Sequence, residues 1–202
     1  MISIRLRFGD GADKTRAMLY ITGMNKRELK DSPVRPPFWI ISDTHFGHDN
    51  IIKYCGRPQE HEQLMLDAWH QRIGPDDVVL HLGDLLLDRR GDIAPKVAKL
   101  PGKKFLLKGN HDRRSSKYYQ GLGFRLIRQS FALPYMGWQV VFSHRPDYDK
   151  DFICYPKHLN VHGHIHQRLL DDRCYLNVSV EHTDYKPLLI TELLDQRIAE
   201  LS

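Results

Sequence analysis

Five short motifs that carry carboxylate, amide and imidazole side chains are spread along the chain, each directly after an apolar stretch. The motifs are Asp43-Thr44-His45, Gly83-Asp84, Gly109-Asn110-His111-Asp112, Ser143-His144 and Gly163-His164-Ile165-His166. Carboxylate oxygens and neutral imidazole nitrogens are common ligands of divalent metals, and a metal pair can deprotonate water near neutral pH. The sequence therefore predicts that five loops converge on one metal centre with hydrolytic chemistry.

The spacing within the motifs favours two transition metals. Asp43 and His45 are two residues apart and so share one face of an extended segment, as do His164 and His166. A carboxylate combined with imidazoles suits manganese, iron, zinc or nickel, whereas calcium and magnesium take nearly all oxygen ligands. The number of ligands fits two metals better than one, and a pair about 3.5 to 4 Å apart needs a bridging oxygen. Asp84, which follows a glycine, is the natural bridge.

The elements that position the first three motifs are predicted from the apolar periodicity. Strands over 38–42, 77–84 and 103–107 alternate with helices over 59–73 and 90–100. This alternation indicates βαβ units and a largely parallel sheet with helices outside. Such sheets bind ligands at the carboxyl edge of their strands, which is where the motifs fall.

The second half of the chain is predicted to form another sheet. A short basic helix over 113–119 is followed by strands over 124–133, 138–143, 159–162 and 175–180. Short loops between these strands suggest hairpins in a mixed sheet, stacked face to face on the first. The long unpatterned stretch 145–158 is a candidate lid or substrate loop. Residues 188–199 are predicted to close the domain as a helix, with a last strand as the alternative.

Residues 1–35 are predicted to form an N-terminal β-hairpin extension and a linker, ahead of a main domain over 36–202. One side of the hairpin carries Arg5, Arg7, Lys14 and Arg16. Those cations would suit a phosphate backbone, but an edge hairpin also uses a solvated basic face to prevent edge pairing. The sequence leaves both interpretations open.

Composition narrows the class of protein. The chain has 202 residues, 41% of them hydrophobic, which is enough for one ordinary domain with a real core. Its net charge of +5 favours anionic partners such as nucleotides, phosphoesters or nucleic acid. No apolar run reaches the roughly 20 residues of a membrane span, and no secretory segment is evident, so a cytoplasmic protein without membrane contact is expected. Three scattered cysteines indicate reduced thiols.

Taken in order, the five motifs resemble those of the calcineurin-like metallophosphoesterases. The resemblance runs from Trp39 to His166, and the stretch 177–181 is similar to the closing strand of that family. It implies an α/β fold, a four-layer α-β-β-α sandwich of two stacked mixed sheets flanked by helices. It also implies a dinuclear phosphoesterase that hydrolyses phosphodiesters or phosphomonoesters by attack of a metal-bridging hydroxide, with manganese as the first expectation for the two metals.

The resemblance further implies a role for each motif residue. One metal would be bound by Asp43, His45 and His166 and the other by Asn110, His144 and His164, with Asp84 shared. His111 would protonate the leaving alkoxide. The family often places a carboxylate that orients this histidine three residues after the shared aspartate, where this chain has Leu87, so that Asp88 is the nearest candidate. Asp112 is expected to fix its loop.

Several neighbouring residues have two interpretations. His48 and Asn50 are predicted to contact substrate, or to form a turn and a helix cap. Arg113 and Arg145 are predicted to clamp phosphate, or to be ordinary solvated arginines. Two further functions compete with the general phosphoesterase: a nuclease that binds DNA or RNA through the basic hairpin, and a non-catalytic scaffold of the same fold.

Overall fold

The computed structural model describes residues 34–127, 130–148 and 156–201. The hairpin predicted within residues 1–35 and the middle of the predicted loop, residues 149–155, lie outside this part of the chain. The domain boundary at residue 36 therefore remains a prediction. Over the described residues, no helix combines the length and the apolarity that crossing a bilayer would take.

The first sheet contains five strands in the order β4-β3-β2-β1-β9. The strands are β1 (Trp39–Ile41), β2 (Val78–His81), β3 (Lys103–Leu107), β4 (Phe124–Ile127) and β9 (Leu188–Leu189). Strands β1 to β4 are mutually parallel, and β9 pairs with β1 antiparallel. The parallel arrangement puts the carboxyl ends of β1, β2 and β3, and the motifs that follow them, at one edge of the sheet.

The second sheet contains four strands in the order β5-β6-β7-β8. The strands are β5 (Ser130–Tyr135), β6 (Trp138–Ser143), β7 (His158–His162) and β8 (Tyr175–Asn177). Only β5 and β6 form the predicted kind of hairpin, because β6 pairs with β7, and β7 with β8, in parallel. The parallel pairs bring the ends of β6 and β7, with their histidine motifs, to a common edge.

Five helices accompany the sheets in the described part of the chain. They are α1 (Ile51–Cys55), α2 (His61–Arg72), α3 (Ala94–Ala98), α4 (Ser116–Gly121) and α5 (Ile190–Leu201). In α2, Met65, Leu66 and Trp69 are buried against the sheet. The indole Nε1 of Trp69 donates to the carbonyl of Pro101 at 3.0 Å, which ties α2 to the loop before β3.

Both faces of the first sheet are buried, which produces the four layers. Ile41 and Val79 belong to the apolar cluster beneath the helices, and the alternate residue Ile40 is equally buried on the opposite face. Between the sheets, the ring centroids of Phe38 and Phe142 are 5.7 Å apart. The predicted class, two stacked mixed sheets flanked by helices, is confirmed.

Several predicted elements differ from the structure: the basic helix expected over 113–119 begins only at Ser116, and the strand expected over 175–180 ends at Asn177. The helix expected over 90–100 is limited to α3, because the Asp88 carboxylate accepts the backbone N–H groups of Gly91 and Ala94 and holds the preceding turn. The strand expected over 124–133 is two strands, β4 and β5, that belong to different sheets. At the end of the chain both alternatives occur, since β9 runs directly into α5.

Candidate metal centre

The structure brings the seven predicted metal ligands to one edge of the sandwich. Six of them form two groups in which the ligand atoms lie within 4.8 Å of one another. The first group is Asp43, His45 and His166, and the second is Asp84, His144 and His164. The seventh, Asn110, belongs beside the second group, because its Oδ1 is 3.1 Å from His144 Nε2.

Asp84 lies between the two groups. Its Oδ2 is 3.6 Å from His45 Nε2 in the first group and 3.3 Å from His144 Nε2 in the second. Its Oδ1 accepts the backbone N–H of His111 at 2.8 Å, which fixes the carboxylate plane. One carboxylate oxygen is therefore directed towards both groups, as a shared ligand requires.

An unusual backbone conformation accompanies the ligands. Five of the seven have a left-handed φ, between 49° and 69°. These residues are Asp43, His45, Asp84, His164 and His166. Non-glycine residues in this region cost on the order of 1–3 kcal/mol each and cluster at functional sites. Such strain persists only where neighbouring contacts hold it in place, and Asp43 and His45 each donate a backbone N–H to the Gly83-Asp84 turn at 3.0 Å.

Two glycines let the carboxylates lie directly against backbone. A Cβ at Gly109 would be 2.2 Å from Asp84 Oδ1, and a Cβ at Gly163 would be 2.1 Å from Asp43 Oδ2. The space that a side chain would fill is occupied by the carboxylate instead. Asp84 is consequently fixed against the loop of the third motif, and Asp43 against the loop of the fifth.

Several oxygen and nitrogen atoms of the ligands have no hydrogen-bond partner, and they fit a divalent cation. Asp43 Oδ2 is hydrogen-bonded to Ser42 Oγ, Ser179 Oγ and the backbone N–H of His164, but Asp43 Oδ1 is buried without a hydrogen-bond partner. Both ring nitrogens of His45 are likewise buried without one. Buried polar atoms are nearly always satisfied, and unmet ones are costly. A cation bound between these oxygens and nitrogens would satisfy them.

Burial keeps two of the histidines neutral. It lowers the pKa of His45 to about 2 and the pKa of His164 to about 4. A neutral imidazole presents the nitrogen lone pair that a metal binds. These two side chains are therefore ready for coordination at any pH near neutrality.

The other two histidines are paired with anionic or polar groups. Burial lowers the pKa of His144 and of His166, but hydrogen bonds outweigh it and both pKa values are raised, that of His166 to about 10. The partner of His144 is Asp84, and those of His166 are Cys55 and Glu181. A metal binding at these imidazoles displaces a proton, so metal affinity falls as the solution becomes acidic.

Comparison with known proteins agrees with this geometry. The family model described as calcineurin-like phosphoesterase matches residues 36–195. The chain belongs to the calcineurin-like phosphoesterase family. That family typically binds two divalent metals, and the two ligand groups are the candidate sets for them.

Three relatives illustrate the extent of the similarity. An uncharacterised protein of Methanocaldococcus jannaschii is 34% identical over 181 residues, which cover 78% of this chain and 91% of that protein. The gene 66 protein of Mycobacterium phage D29 is 27% identical over 165 residues, 65% of this chain and 79% of that protein. The crystal structure of a protein of unknown function from Aquifex aeolicus has a TM-score of 0.64 and 28% identity, and covers 79% of this chain and 98% of that one.

Two residues that the sequence analysis gave no role support the first ligand group of this calcineurin-like domain. The side chain of Arg57 is fully buried, and it donates to the carbonyls of Asp43 (2.7 Å) and Thr44 (2.9 Å). Its Nε and Nη2 also donate to Glu181 Oε1 at 2.9 and 2.7 Å. The same Glu181 oxygen is 3.1 Å from His166 Nδ1. Arg57 thus joins the first motif to the carboxylate that orients His166.

Sequence signals for this pair exist but are weak. Arg57 lies between Gly56 and Pro58 at the end of α1, a position typical of a turn, and Glu181 ends the stretch that resembles the closing strand of the family. The two residues are 124 positions apart in the chain. No periodic pattern connects side chains over that distance.

The second ligand group is supported by Asp112 and by main-chain groups. Asp112 Oδ2 accepts the backbone N–H groups of Asp84 and Gly109 at 2.7 and 2.8 Å, and Oδ1 accepts that of Leu85 at 3.0 Å. His144 Nδ1 is 2.8 Å from the carbonyl of Leu82. Asp112 therefore fixes its loop, in agreement with the role expected for it.

Two further histidines lie close behind the ligands. His81 Nε2 is 2.9 Å from Thr44 Oγ1, and its Nδ1 accepts the backbone N–H of Gly83 at 3.1 Å. Burial lowers the pKa of His81 to about 3, so it is a neutral link between the first and second motifs. His162 Nδ1 is 2.9 Å from the carbonyl of Gly163. Both rings contact ligand loops from the side of the core.

The candidate proton donor His111 lies beside the first group. Its ring centroid is 5.3 Å from that of His45 and 6.3 Å from that of His48. Asp88, the carboxylate considered as its partner, instead accepts backbone N–H groups with both oxygens, from Gly91 and Ala94. The structure therefore gives Asp88 a capping role at α3.

The predicted substrate residues are divided between two grooves. His48, Asn50 and Arg113 line a groove of about 680 Å³ together with His111. Arg145 lines a second groove of about 450 Å³ that contains Asn110 and His144. Asn50 is the N-cap residue of α1 but makes no side-chain capping bond, and it lines the first groove.

Proposed function

We propose that this chain hydrolyses phosphoric esters at a dinuclear metal centre built from the seven ligands, with phosphodiesters as its substrates. The observation that carries the proposal is the position of Asp84, whose Oδ2 lies within 3.6 Å of a histidine from each ligand group. Manganese is the first choice of metal, with iron, zinc or nickel as alternatives, because both groups combine a carboxylate with imidazoles.

When bound, two such ions would polarise phosphoryl oxygens and supply a nucleophile by lowering the pKa of a bound water. The chain supplies the remaining functions. The neutral rings of His45 and His164 each present a nitrogen lone pair for coordination, one in each ligand group. The backbone N–H of His111 donates to Asp84 Oδ1, which fixes the backbone of His111 relative to the shared carboxylate, and the His111 ring lies 5.3 Å from that of His45. From there its imidazole donates a proton to the leaving oxygen of the ester.

The two grooves favour a diester over a monoester. A phosphate diester carries an organic group on each side of phosphorus, whereas a monoester would fill only one groove. The grooves adjoin along the Asn110-His111 peptide, since Asn110 lines one and His111 the other. Arg113 and Arg145, one in each groove, can hold phosphate oxygens through bidentate hydrogen bonds.

Replacing His111 by alanine tests the proposal. We expect turnover of a chromogenic phosphodiester with manganese to fall by about 10²–10⁴-fold, because general acid catalysis is lost. Metal content, measured by elemental analysis after dialysis, is expected to remain at two ions per chain. The matched control is His70→Ala, an exposed histidine on α2 far from the motifs in the chain, which should leave turnover unchanged.

Two results would contradict the proposal. One is undiminished turnover in His111→Ala, and the other is wild-type protein that takes up no transition metal under any loading condition. Asp84→Asn gives an independent check, because removing the shared carboxylate should reduce both metal content and turnover.

A further inference from the structure

The groove that contains His111 has a composition that ester hydrolysis alone does not explain. Besides His111 it is lined by Arg89, Arg113 and Arg114, and by the rings of Tyr54 and Tyr118. We call it the cationic groove. The one carboxylate among its lining residues is that of Asp88, whose oxygens are both engaged by backbone N–H groups. The side chains of the cationic groove therefore present positive charge well beyond what one scissile phosphate needs.

The second groove, which we call the opposite groove, is also positive. Lys108 and Arg145 line it next to the ligands Asn110 and His144, and Asp147 is the one carboxylate among its lining residues outside the ligand groups, so the cations outnumber the carboxylate by two to one. Cations on both sides of the metal centre match a substrate that carries further anionic groups on both sides of the phosphate to be cleaved. A simple diester has no such groups, whereas a chain of phosphodiesters has them at regular intervals.

Aromatic rings accompany the cations only in the cationic groove. Tyr54 is 68% exposed, which is unusual for a large aromatic residue, and its ring is inclined at 65° to that of His48 with the ring centroids 6.2 Å apart. The Arg114 guanidinium lies over the Tyr118 ring, 5.6 Å from its centroid. A positive groove with accessible aromatic faces is the arrangement that binds single-stranded nucleic acid, because unpaired bases stack on the rings while cations follow the phosphates.

Resting on the proposed function, we propose that the substrate is single-stranded nucleic acid, which crosses from the opposite groove into the cationic groove over the Asn110-His111 peptide. The nucleotides on the leaving side lie in the cationic groove, because the proton donor His111 is there, and a base stacks on Tyr54. Hydrolysis forms a bond from a water oxygen to phosphorus and breaks the bond from phosphorus to the leaving oxygen. His111 gives its proton to that leaving oxygen, the water loses one proton to solvent, and His111 regains a proton from solvent before the next turnover. This route to nucleic acid is independent of residues 1–35.

The test compares two substrates with manganese-loaded enzyme: a short single-stranded oligonucleotide and methyl p-nitrophenyl phosphate, a diester with no further phosphate. For Tyr54→Ala we expect KM for the oligonucleotide to rise about tenfold, the loss that one stacked base produces. The ratio of kcat/KM for the oligonucleotide to that for the small ester should fall by a similar factor. Tyr54→Phe keeps the ring and should restore the wild-type ratio.

Charge is tested in the same assay. Arg89→Ala should raise KM for the oligonucleotide. It should also reduce the slope of log KM against log salt concentration by about 0.7, the value for one phosphate contact to a single strand. The matched control is Arg173→Ala, which removes a guanidinium bonded to the carbonyl of Glu200 near the end of α5 and should leave that slope at the wild-type value.

The outcomes separate the two proposals. If wild-type enzyme hydrolyses neither the small ester nor the oligonucleotide, the proposed function fails. If it hydrolyses the small ester but shows no preference for the oligonucleotide, prefers duplex to single strand, or loses both activities equally in Tyr54→Ala, the inference about the substrate is overturned. A preference for dinucleoside polyphosphates over oligonucleotides would also overturn it.

Discussion

The two halves of the candidate metal centre are held in different ways. The half made by Asp43, His45 and His166 depends on the buried Arg57–Glu181 ion pair, which joins the end of α1 to the segment after β8. The half made by Asp84, His144 and His164 depends on hydrogen bonds with main-chain groups. Most of these are bonds that backbone N–H groups donate to the carboxylate of Asp112.

The difference shows where the site is sensitive to distant substitutions. A buried ion pair loses both its attraction and its compensation for desolvation when one partner is removed. Hydrogen bonds to backbone are individually weaker, and several of them share the task in the second half. A single substitution in the ion pair should therefore abolish metal binding in the first half, whereas a single substitution in the second half should only weaken it.

Breaking the ion pair gives the largest expected effect. In Arg57→Met the buried Glu181 carboxylate loses its guanidinium partner and keeps only His166, so the free energy of unfolding should fall by about 3–5 kcal/mol. Metal content should drop from two ions towards one, because the Asp43 and Thr44 carbonyls are no longer held. Denaturant unfolding and elemental analysis measure the two quantities.

A surface pair of the same geometry provides the control. Arg90 Nη2 is 2.7 Å from Asp49 Oδ2, the distance found for Arg57 and Glu181, but both side chains are 73% exposed. Arg90→Met should lower stability by no more than about 1 kcal/mol and leave metal content unchanged. Equal effects of the two substitutions would refute the idea that the first half depends on its buried pair.

A smaller effect is expected from Asp112→Asn in the second half. An amide nitrogen then faces a backbone N–H, so one or more of the three hydrogen bonds is lost at a cost of about 1–3 kcal/mol. Metal affinity, measured by competition with a chelator, should fall by about 10–100-fold at one of two sites. Asp77→Asn is the control, since Asp77 accepts a single backbone bond from Gly74 far from the motifs. Identical metal affinity in Asp112→Asn and wild type would contradict this account.

The last expected effect is a change in acid stability. Burial raises the pKa of Glu181, but His166 and Arg57 outweigh it and hold that pKa at about 2, below the ordinary 4.5. A lowered carboxyl pKa stabilises the fold above the ordinary value, and that stability is lost as pH falls from about 4.5 towards 2. In metal-free protein, Glu181→Gln should show a flatter loss of unfolding free energy through this window. A slope equal to that of wild type would count against the ion pair.

Much of the arrangement could be predicted from the sequence because local patterns encode it. Strands β3 and β6 have the predicted bounds, and the motifs meet because parallel strands place their carboxyl ends together. The pairing of Arg57 with Glu181 could not be predicted, since contacts between distant segments leave no periodic trace. The sequence also did not predict that the chain passes from one sheet to the other between β4 and β5, because strand propensity does not specify which neighbour a strand will pair with.

The close approach at Gly109 and Gly163 has a consequence for how loss of activity would look in relatives of this chain. An alanine at either position would preserve every strand and every coordinating side chain, yet its methyl group would occupy the place of a carboxylate oxygen. A relative that has lost activity in this way could thus keep all of its metal-binding aspartates and histidines. The added methyl group of that alanine would be the only sign of its inactivity in the sequence of these motifs.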